Sequence, residues 1–573
     1  MDDDKKGMKW GLAHYGDAAF SLYVRKAFIK AMGYSDDALE LPVIGIANTF
    51  SGYNACHAMM PDIVAAVSRG VMLAGGLPIE FPTISLHESF VRPTSKFLRN
   101  LMAMDTEEMI RAQPMDAVVL VGGCDKTVPA QLMAAASANV PAISVVTGPM
   151  LPGSHRGGKV GACTDCRRFW AAHRAGEVAE AEMDELNDKL VPSAGTCGVM
   201  GTASTMACMV EAMGMMLPGG ATIPTVLADR RRHAEAAGTR AVALAAEGLT
   251  PDRIMTPAAL TNAMRVLLAI GGSTNGIIHL AAIAGRLGCD LDLQAFDRIG
   301  RETPVLVDLK PSGAHYMDDL HRAGGMAAIL RALTPMLDLD CMTVGGVTLG
   351  EAIDSFPDAW DQDVVRPLDD PIHQGGAIAV LGGSLAGDGA VIKQSAASPD
   401  LLVHTGRAVV FDSLEDLAAR IDAPDLDVTA NDVLILRNAG PKGAPGMPEA
   451  GYFPIPRKLA EQGVKDMVRI SDARMSGTAF GTIVLHATPE AAVGGPLALV
   501  ETGDQVTLDV PNRRLDLAVS DEELDRRRSA WSPRDDMQET RGYARLHQDH
   551  VLQADRGCDL DFLVPETRVQ IPV

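Results

Sequence analysis

The sequence predicts an α/β protein with an N-terminal parallel-sheet α/β domain and a C-terminal β-barrel-like domain. Over the first two-thirds of the chain, short β-like runs alternate with helical runs, as in βαβ units that build a parallel sheet. From about residue 370, β runs recur between glycines with few helices between them, which favours a barrel or sandwich. We therefore expect two domains, residues 1–365 and 366–573.

The N-terminal domain is predicted from three β-like runs, each ending in glycine or polar residues: Val43–Ala47, Val118–Val121 and Ala142–Thr147. The segment Pro129–Asn139, between the second and third runs, is rich in Ala, Leu and Met and predicts a helix. A second helix is expected at Thr202–Met216, which is apolar almost all round and therefore buried. A third is expected at Pro257–Ile270.

The C-terminal domain is predicted from six short β runs: Ala377–Leu381, Ala408–Phe411, Val433–Leu436, Thr482–His486, Val506–Val510 and Leu515–Val519. Asn512 and Arg513 lie between the last two runs and predict a tight turn. Ser520 and Glu523 have the spacing of a capping box, so a helix is expected to begin there.

The composition argues against two classes of partner, nucleic acids and membranes. The 573 residues include 51 Lys and Arg against 73 Asp and Glu, a net charge of −22, which argues against nucleic acid as a partner. Apolar residues make up 47% of the chain, enough for a large core, yet no apolar run approaches the roughly 18–20 residues of a membrane span. The acidic, polar start lacks an apolar signal core, so we expect a cytoplasmic protein with no membrane partner.

The number of cysteines argues against a disulfide framework. Nine cysteines in 573 residues are odd in number and sparse, unlike a secreted disulfide scaffold. In a reducing compartment they are buried fillers, nucleophiles or metal ligands. Cys163 and Cys166 form a CxxC, but without a second pair this is a poor zinc site, and we interpret it as structural.

Three segments could hold chemistry in the N-terminal domain. Cys124, Asp125 and Lys126 lie in GGCDKT, after a predicted strand, where ligands bind in open α/β sheets. A plain strand–helix turn capped by Asp125 is an equally good interpretation of that segment alone. Cys197 lies in a glycine-rich loop before a helix, where a thiolate is favoured, although simple helix entry is the alternative. Cys56 follows another predicted strand, and its neighbour His57 makes only a weak motif.

Three further side chains are ambiguous on local grounds. Glu88, in SLHESF, would ordinarily be a solvated surface residue. Glu449 ends the rigid loop 440–449, and Ser476 presents a hydroxyl before glycine; both could be turn chemistry. The chain has no GxGxxG after its first strand, no GxxxxGK[ST] and no HExxH, so dinucleotide, P-loop and zincin functions lack support.

Taken together, these segments resemble the dihydroxyacid dehydratase / 6-phosphogluconate dehydratase family. The matching motifs are GGCDKT at 122–127, SAGTCGVMGTASTM at 193–206, GGSTN at 271–275, GPKGAPGMPE at 440–449 and RISDARMSGT at 469–478. The similarity extends from about residue 40 to the end of the chain. The stretches GYARLHQDHV at 542–551 and ADRGCDLDF at 554–562 are most similar to the sugar-acid (aldonate) dehydratase branch.

The resemblance implies two inorganic cofactors. An iron–sulfur cluster, [2Fe–2S] or [4Fe–4S], would be held by three cysteines, which leaves one iron open to substrate. A Mg²⁺ ion would be bound by carboxylates and by a lysine that is carbamylated in the family, since a carbamate supplies oxygen to a hard cation. By motif the cluster ligands fall on Cys56, Cys124 and Cys197, and the magnesium ligands on Glu88, Asp125, Lys126 and Glu449.

The implied reaction is dehydration of a 2,3-dihydroxy acid, a small-molecule substrate, to a 2-keto acid. Ser476 matches the family's base, with Thr478 beside it, and Asp472 and Arg474 are candidates for supporting their loop. The family also implies a homodimer or homotetramer and a site between the two domains. His57 and Met59 depart from the Cys-Asn-x-His that relatives often carry, which would alter the surroundings of the cluster.

Two alternatives to sugar-acid dehydration remain at this stage. The first keeps the chemistry but uses a branched-chain dihydroxy acid of amino-acid biosynthesis. The second is a non-catalytic thiol or metal sensor that uses Cys163 and Cys166 with the other thiols.

Overall fold

The N-terminal sheet has four parallel strands, in the computed structural model that describes residues 6–12, 15–534, 539–566 and 569–571. They are β1 (Val43–Asn48), β2 (Leu77–Pro82), β3 (Ala117–Gly122) and β4 (Ala142–Val146). Their spatial order is β2–β1–β3–β4, and every neighbouring pair is parallel. The loops that leave the carboxyl ends of these strands therefore meet at one edge of the sheet.

Helices cover this sheet and continue the chain toward the second domain. They are α1 (Ala18–Lys30), α2 (Met60–Leu73), α3 (Ser95–Ala112), α4 (Thr127–Ala138), α5 (Thr164–Arg174), α6 (Glu180–Leu190), α7 (Thr202–Ala212), α8 (Ala228–Glu247), α9 (Pro251–Ile254), α10 (Pro257–Ala269), α11 (Asn275–Arg286), α12 (Leu293–Glu302), α13 (Met317–Arg322), α14 (Gly325–Leu333) and α15 (Leu349–Asp354). Short strands β5 (Gly153–His155) and β6 (Gly158–Val160) form a hairpin, and β7 (Cys289–Asp290) stands apart from it.

Helix α7 is buried as expected but ends earlier than the sequence predicts. The chain turns at Gly214, whose φ of +82° is a left-handed conformation that favours glycine. Helices α2 and α8 cross at two glycines: a Cβ on Gly70 would lie 1.9 Å from the Glu235 carbonyl oxygen, and one on Gly238 would lie 2.1 Å from that of Val67. Only glycine permits this close packing.

The C-terminal domain is a closed barrel of eight strands, so the predicted fold class is confirmed in both domains. The strands are β8 (Ala379–Gly383), β9 (Ala386–Ile392), β10 (Val403–Phe411), β11 (Val433–Leu436), β12 (Arg469–Ser471), β13 (Ile483–Thr488), β14 (Gln505–Asp509) and β15 (Arg514–Leu517). Around the barrel the order is β10–β11–β12–β13–β9–β8–β15–β14, and β14 closes on β10. The predicted turn at Asn512 and Arg513 joins the antiparallel strands β14 and β15.

Barrel strands β11, β12 and β13 are buried on both faces. Along β11, Val433 and Ile435 belong to the apolar core of the barrel, whereas Leu434 and Leu436 belong to a second apolar cluster. Val391 of β9 and Leu485 of β13 join the large core of the N-terminal domain. The two domains therefore share apolar packing, which fixes loops of the barrel against the edge of the parallel sheet.

The C-terminal part of the chain returns to the N-terminal domain. It contains α18 (Asp521–Ala530), α19 (Gly542–His550) and β16 (Val569–Gln570), whereas α16 (Leu414–Arg420) and α17 (Arg457–Ala460) lie between strands of the barrel. Ser520 caps α18 by accepting a hydrogen bond from the Glu523 amide. Asp559 forms a fully buried ion pair with Arg286 of α11, at 2.5 Å. In the part of the chain described above, no helix is long and apolar enough to span a membrane.

Candidate active site

Three carboxylates from separate parts of the chain converge at the edge of the parallel sheet. Glu88 follows β2, Asp125 follows β3, and Glu449 ends the loop 440–449 of the second domain. One oxygen from each lies within 4.8 Å of the others. Lys126 is fully buried beside them and forms an ion pair with Asp125. A compact set of oxygen donors suits a hard divalent cation, so these residues fit the ion that the resemblance implies.

Arg474 is the cation that joins two of these carboxylates. Its guanidinium forms ion pairs with Glu449 and with Glu88, the latter at 3.0 Å between Nη2 and Oε2. Nη2 also donates to Thr94 Oγ1 at 2.8 Å, and Nε donates to the Met447 carbonyl at 2.7 Å. The side chain is fully buried, and these partners accept hydrogen bonds from its guanidinium N–H groups.

The pKa values of the two glutamates are shifted in opposite directions. Burial raises the pKa of Glu88, but Arg474 and Lys126 outweigh it and bring that pKa to about 2. The hydroxyls of Thr94 and Ser95 also donate to its carboxylate. Burial dominates at Glu449 and raises its pKa above the usual value, despite the opposing charge of Arg474. Of the two glutamates, Glu88 is therefore the one that is held ionised.

The three predicted cluster cysteines also converge. Cys56 lies in a short turn after β1, Cys124 follows β3, and Cys197 precedes α7. The Cys56 and Cys124 thiols are close enough to interact, and Cys197 is close enough to interact electrostatically with both. The neighbouring Cys124 thiol and burial raise the pKa of Cys56. Thiols from three loops that face one another fit a cluster held by three cysteines.

His57, which departs from the common family pattern, has a defined structural role. It is completely buried, and burial lowers its pKa to about 4, so the imidazole is neutral. Its Nδ1 lies 2.7 Å from the Thr49 carbonyl oxygen, and its Nε2 accepts the Cys124 amide proton at 3.2 Å. A single ring therefore ties the turn of Cys56 to the loop of Cys124. The local sequence does not reveal this bridge.

Ser476 lies on a loop held against the N-terminal domain. Its Oγ is 2.9 Å from Thr478 Oγ1. Asn275, within the GGSTN motif, donates from Nδ2 to the Met475 carbonyl at 3.0 Å. Gly477 packs so closely that a Cβ there would lie 2.5 Å from Ser273 Cβ. The loop is therefore fixed immediately before and after the serine.

The same loop links the two groups of candidate ligands. Arg474 contacts the carboxylates, two residues before Ser476. At the other end, a Cβ on Gly201 would lie 2.9 Å from Thr478 Cγ2 and 3.9 Å from Cys197 Cβ. Along the loop, Ser476 therefore lies between Arg474, which contacts the carboxylates, and Thr478, which packs beside Gly201 near Cys197.

Two buried acids hold the loops of the barrel domain. Asp472 accepts backbone hydrogen bonds from Asn438, Ala439 and Ala491, and burial raises its pKa to about 6. Glu490 accepts from the amides of Lys442 and Gly443, inside the loop that ends at Glu449. Burial, with the nearby charge of Asp472, raises the pKa of Glu490 to about 7.

A cavity of about 1170 Å³ is lined in part by two other cysteines. Its lining includes Cys163, Cys166, Arg167, Tyr452 and Phe480. The Cys163 sulfur is 3.5 Å from that of Cys197, a proximity that the local sequence did not reveal because 34 residues separate them.

Comparison with known proteins assigns the family by sequence. The dihydroxy-acid/6-phosphogluconate dehydratase N-terminal profile matches residues 41–352, and the corresponding C-terminal profile matches residues 363–558. An L-arabinonate dehydratase of Rhizobium leguminosarum bv. trifolii is 49% identical over 552 residues, 96% of this chain and 95% of that protein. A 6-deoxy-6-sulfo-D-gluconate dehydratase of Pseudomonas putida is 47% identical over 92% of this chain and 91% of its own length. A dihydroxy-acid dehydratase of Methanothrix thermoacetophila is 42% identical, over 89% and 92% respectively.

Proposed function

We propose, from the premise that this chain belongs to the dihydroxy-acid/6-phosphogluconate dehydratase family, that it dehydrates a sugar acid (aldonate) to the 2-keto-3-deoxy acid. The observation that supports the chemistry best is the loop of Ser476, which contacts the clustered carboxylates through Arg474 and packs near Cys197 through Thr478. The substrate class is supported by relatives named for sugar acids, which are 47–49% identical, against 42% for the dihydroxy-acid dehydratase.

Two cofactors fit the donor sets. We assign Mg²⁺ to Glu88, Asp125, Glu449 and Lys126 as its carbamate, and a [2Fe–2S] cluster to Cys56, Cys124 and Cys197. When bound, the ion and the cluster supply Lewis acidity toward the substrate's carboxylate end and its C3 hydroxyl. His57 positions the Cys124 loop, and Arg474 orients the carboxylates of Glu88 and Glu449.

Ser476 Oγ is the proposed base that removes the C2 proton. The C3 hydroxyl leaves, water is lost, and the resulting enol tautomerises to the 2-keto acid. A free serine hydroxyl is too weakly acidic for this task, so nearby positive charge has to stabilise its alkoxide. Thr478 Oγ1, at 2.9 Å, can donate a hydrogen bond to that alkoxide, and Asn275 holds the backbone so that Ser476 keeps its position.

The size of the substrate, the oligomeric state and the cellular compartment are also proposals. The enzyme acts on a small molecule, forms a homodimer or homotetramer, and works in the cytoplasm. A reducing compartment would keep its cysteines, none of which forms a disulfide in the described residues, available to bind iron.

The test is a 2-keto-acid assay on anaerobically purified protein supplied with Mg²⁺. The panel contains C5 and C6 aldonates beside 2,3-dihydroxyisovalerate. We expect kcat/KM to be higher for an aldonate. A preference for dihydroxyisovalerate would instead support branched-chain amino-acid biosynthesis, which the 42% identity to a dihydroxy-acid dehydratase keeps as the second candidate. Absence of any keto acid would contradict both.

A further inference from the structure

The thiols of the site form two close pairs. The first pair is Cys56 and Cys124, whose side chains are close enough to interact with each other. The second pair is Cys163 and Cys197, whose sulfurs are 3.5 Å apart. The assignment from family resemblance uses both members of the first pair and only Cys197 of the second. Cys163 is therefore a fourth thiol at the site, with no role assigned to it.

The spacing of the second pair is that of two thiolates on one metal. Two sulfurs bound tetrahedrally at about 2.3 Å from a metal lie about 3.8 Å apart. A [2Fe–2S] cluster held only by cysteine has four such ligands, two on each iron. Two close pairs of thiols match this arrangement, whereas three thiols leave one position on the second iron without a protein ligand.

We infer that Cys163 is a fourth thiolate ligand of the cluster in the substrate-free enzyme, where it shares one iron with Cys197. The inference rests on the proposed [2Fe–2S] cofactor and adds a ligand to it. It also means that Cys163 holds the coordination position that a substrate hydroxyl would otherwise take. Substrate and Cys163 then compete for that position, with no change in oxidation state.

The segment that carries Cys163 is built to hold it in place. Asp165, in the first turn of α5, accepts hydrogen bonds from the Gly161 amide at 2.9 Å and from Tyr316 Oη at 2.7 Å. Lys310 Nζ lies 3.1 Å from the same carboxylate. Thr164 Oγ1 donates to the Thr478 carbonyl at 2.9 Å, which ties the neighbour of Cys163 to the loop of Ser476.

The surroundings also allow Cys163 to leave the iron. Cys163 lines the cavity of about 1170 Å³, so its side chain can rotate into open space. Cys166 lines the same cavity, three residues later in the first turn of α5, and is close enough to interact with Cys163. Cys166 is therefore a matched control: it is a neighbouring thiol in the same cavity, whereas the hydrogen-bond partner of Cys197 is Cys163.

The first experiment is alkylation of the full-length protein with iodoacetamide under anaerobic conditions, read out by peptide mass spectrometry. Each cysteine is compared with itself, in protein that carries its cluster and in protein stripped by a chelator. We expect Cys163 to be alkylated at least tenfold more slowly in the loaded protein, together with Cys56, Cys124 and Cys197. Cys166 should change much less.

The second experiment compares Cys163→Ser with Cys166→Ser by visible absorption and by electron paramagnetic resonance of the reduced protein. Replacing a thiolate ligand with an oxygen donor should shift the bands and g-values of Cys163→Ser, while Cys166→Ser keeps the wild-type spectrum. Equal alkylation of Cys163 in loaded and stripped protein, at full iron and sulfide content, would overturn the inference and leave the proposed function standing. Protein purified without iron and sulfide would overturn the proposed cofactor as well.

Discussion

At the scale of single residues, charge balance dominates the site. Glu88, Asp125 and Glu449 bring three carboxylates within 4.8 Å of one another, and such a group is strongly destabilising without compensating cations. Lys126 and Arg474 supply that compensation. If Lys126 is carbamylated it loses its positive charge, and Arg474 then becomes the cation on which the group depends.

Replacing Arg474 by Met should therefore destabilise the protein most when divalent ions are absent. Breaking a buried ion pair on one side costs about 3–5 kcal/mol, because the partner charges stay buried. We expect a lower melting temperature in EDTA and a larger rise on adding Mg²⁺ than in the wild type, by differential scanning fluorimetry. Arg514→Met, which removes an exposed ion pair with Asp516, is the control and should change little. An equal Mg²⁺-induced rise in melting temperature in the Arg474 variant and in the wild type would contradict this account.

Ser476→Ala tests the assignment of the base. General-base catalysis contributes about 10²–10⁴-fold, so turnover of the preferred acid should fall by that factor. Iron content and visible absorbance should stay at the wild-type level, because the serine is not a ligand. Ser529→Ala, on the exposed face of α18, serves as the control. Retention of wild-type turnover would remove Ser476 from this role.

At the scale of elements, the sequence predicted strands best where apolar runs end at clear breaks. Val433–Leu436 is found with the predicted bounds, and the run at Val43 is one residue longer than predicted. Three strands of the parallel sheet and the barrel were missed for physical reasons. Strand β2 contains two prolines, β9 contains two glycines and an aspartate, and β12 has only three residues. These strands form because neighbouring strands supply their hydrogen bonds, which a single segment does not reveal.

The turn that carries Ser476 gives a prediction at this scale. Gly477→Ala places a Cβ 2.5 Å from Ser273 Cβ and 2.9 Å from the Thr202 amide nitrogen, so the loop has to move. A displacement of about 1 Å at a reacting group can cost about 100-fold in rate. We expect kcat to fall by that order while cluster absorbance persists. Gly382→Ala has no heavy atom within 4 Å of the new Cβ and should leave kcat unchanged.

The loop that ends at Glu449 gives a pH dependence. The folded pKa of Glu490 is about 7, above the ordinary 4.5, because the carboxyl is buried. Its contribution to stability is therefore complete below pH 4.5 and is lost as pH rises through 7, by about 3 kcal/mol in total. Asp472, with a pKa of about 6, adds a change of the same sign.

Glu490→Gln should flatten this dependence. The amide stays neutral, so the fall in urea-unfolding free energy between pH 5 and pH 8 should be smaller than in the wild type. Glu461→Gln, at an exposed position, should keep the wild-type slope. If the Glu490 variant also kept that slope, ionisation of Glu490 would not be its source.

At the scale of the whole molecule, the site depends on contacts that no local pattern encodes. Motif resemblance indicated the thiols, the carboxylates and Ser476, because each lies in a distinctive segment. It did not indicate that His57 bridges two loops or that Thr94 supports Glu88. Nor did it place Cys163 beside Cys197. These relationships arise when separate loops of the N-terminal domain pack together, so they follow from tertiary structure alone.

The surface supports the proposed homo-oligomer. Helix α1 presents Tyr23 and Phe28 with 71% and 74% of their surface exposed, and such side chains commonly mark protein interfaces. We expect light scattering to give a multiple of the 60.5 kDa chain mass. The double variant Tyr23→Glu, Phe28→Glu should reduce that mass, and Val403→Glu, on an exposed barrel residue, should not. A wild-type protein at the single-chain mass would contradict the proposal.

The distribution of the site along the chain has a consequence for biosynthesis. Asp125 and Glu449 are 324 positions apart, so at about 5–20 residues per second the ribosome adds the second roughly 15–65 s after the first. Cys56, Cys124 and Cys197 are all translated before Arg474 and Glu449 exist. A nascent chain therefore presents a set of thiols and an acidic pair before their balancing arginine has been made. A metal ion or cluster that bound during translation would meet an incomplete and less selective set of ligands. Correct loading of both cofactors therefore has to follow completion of the chain.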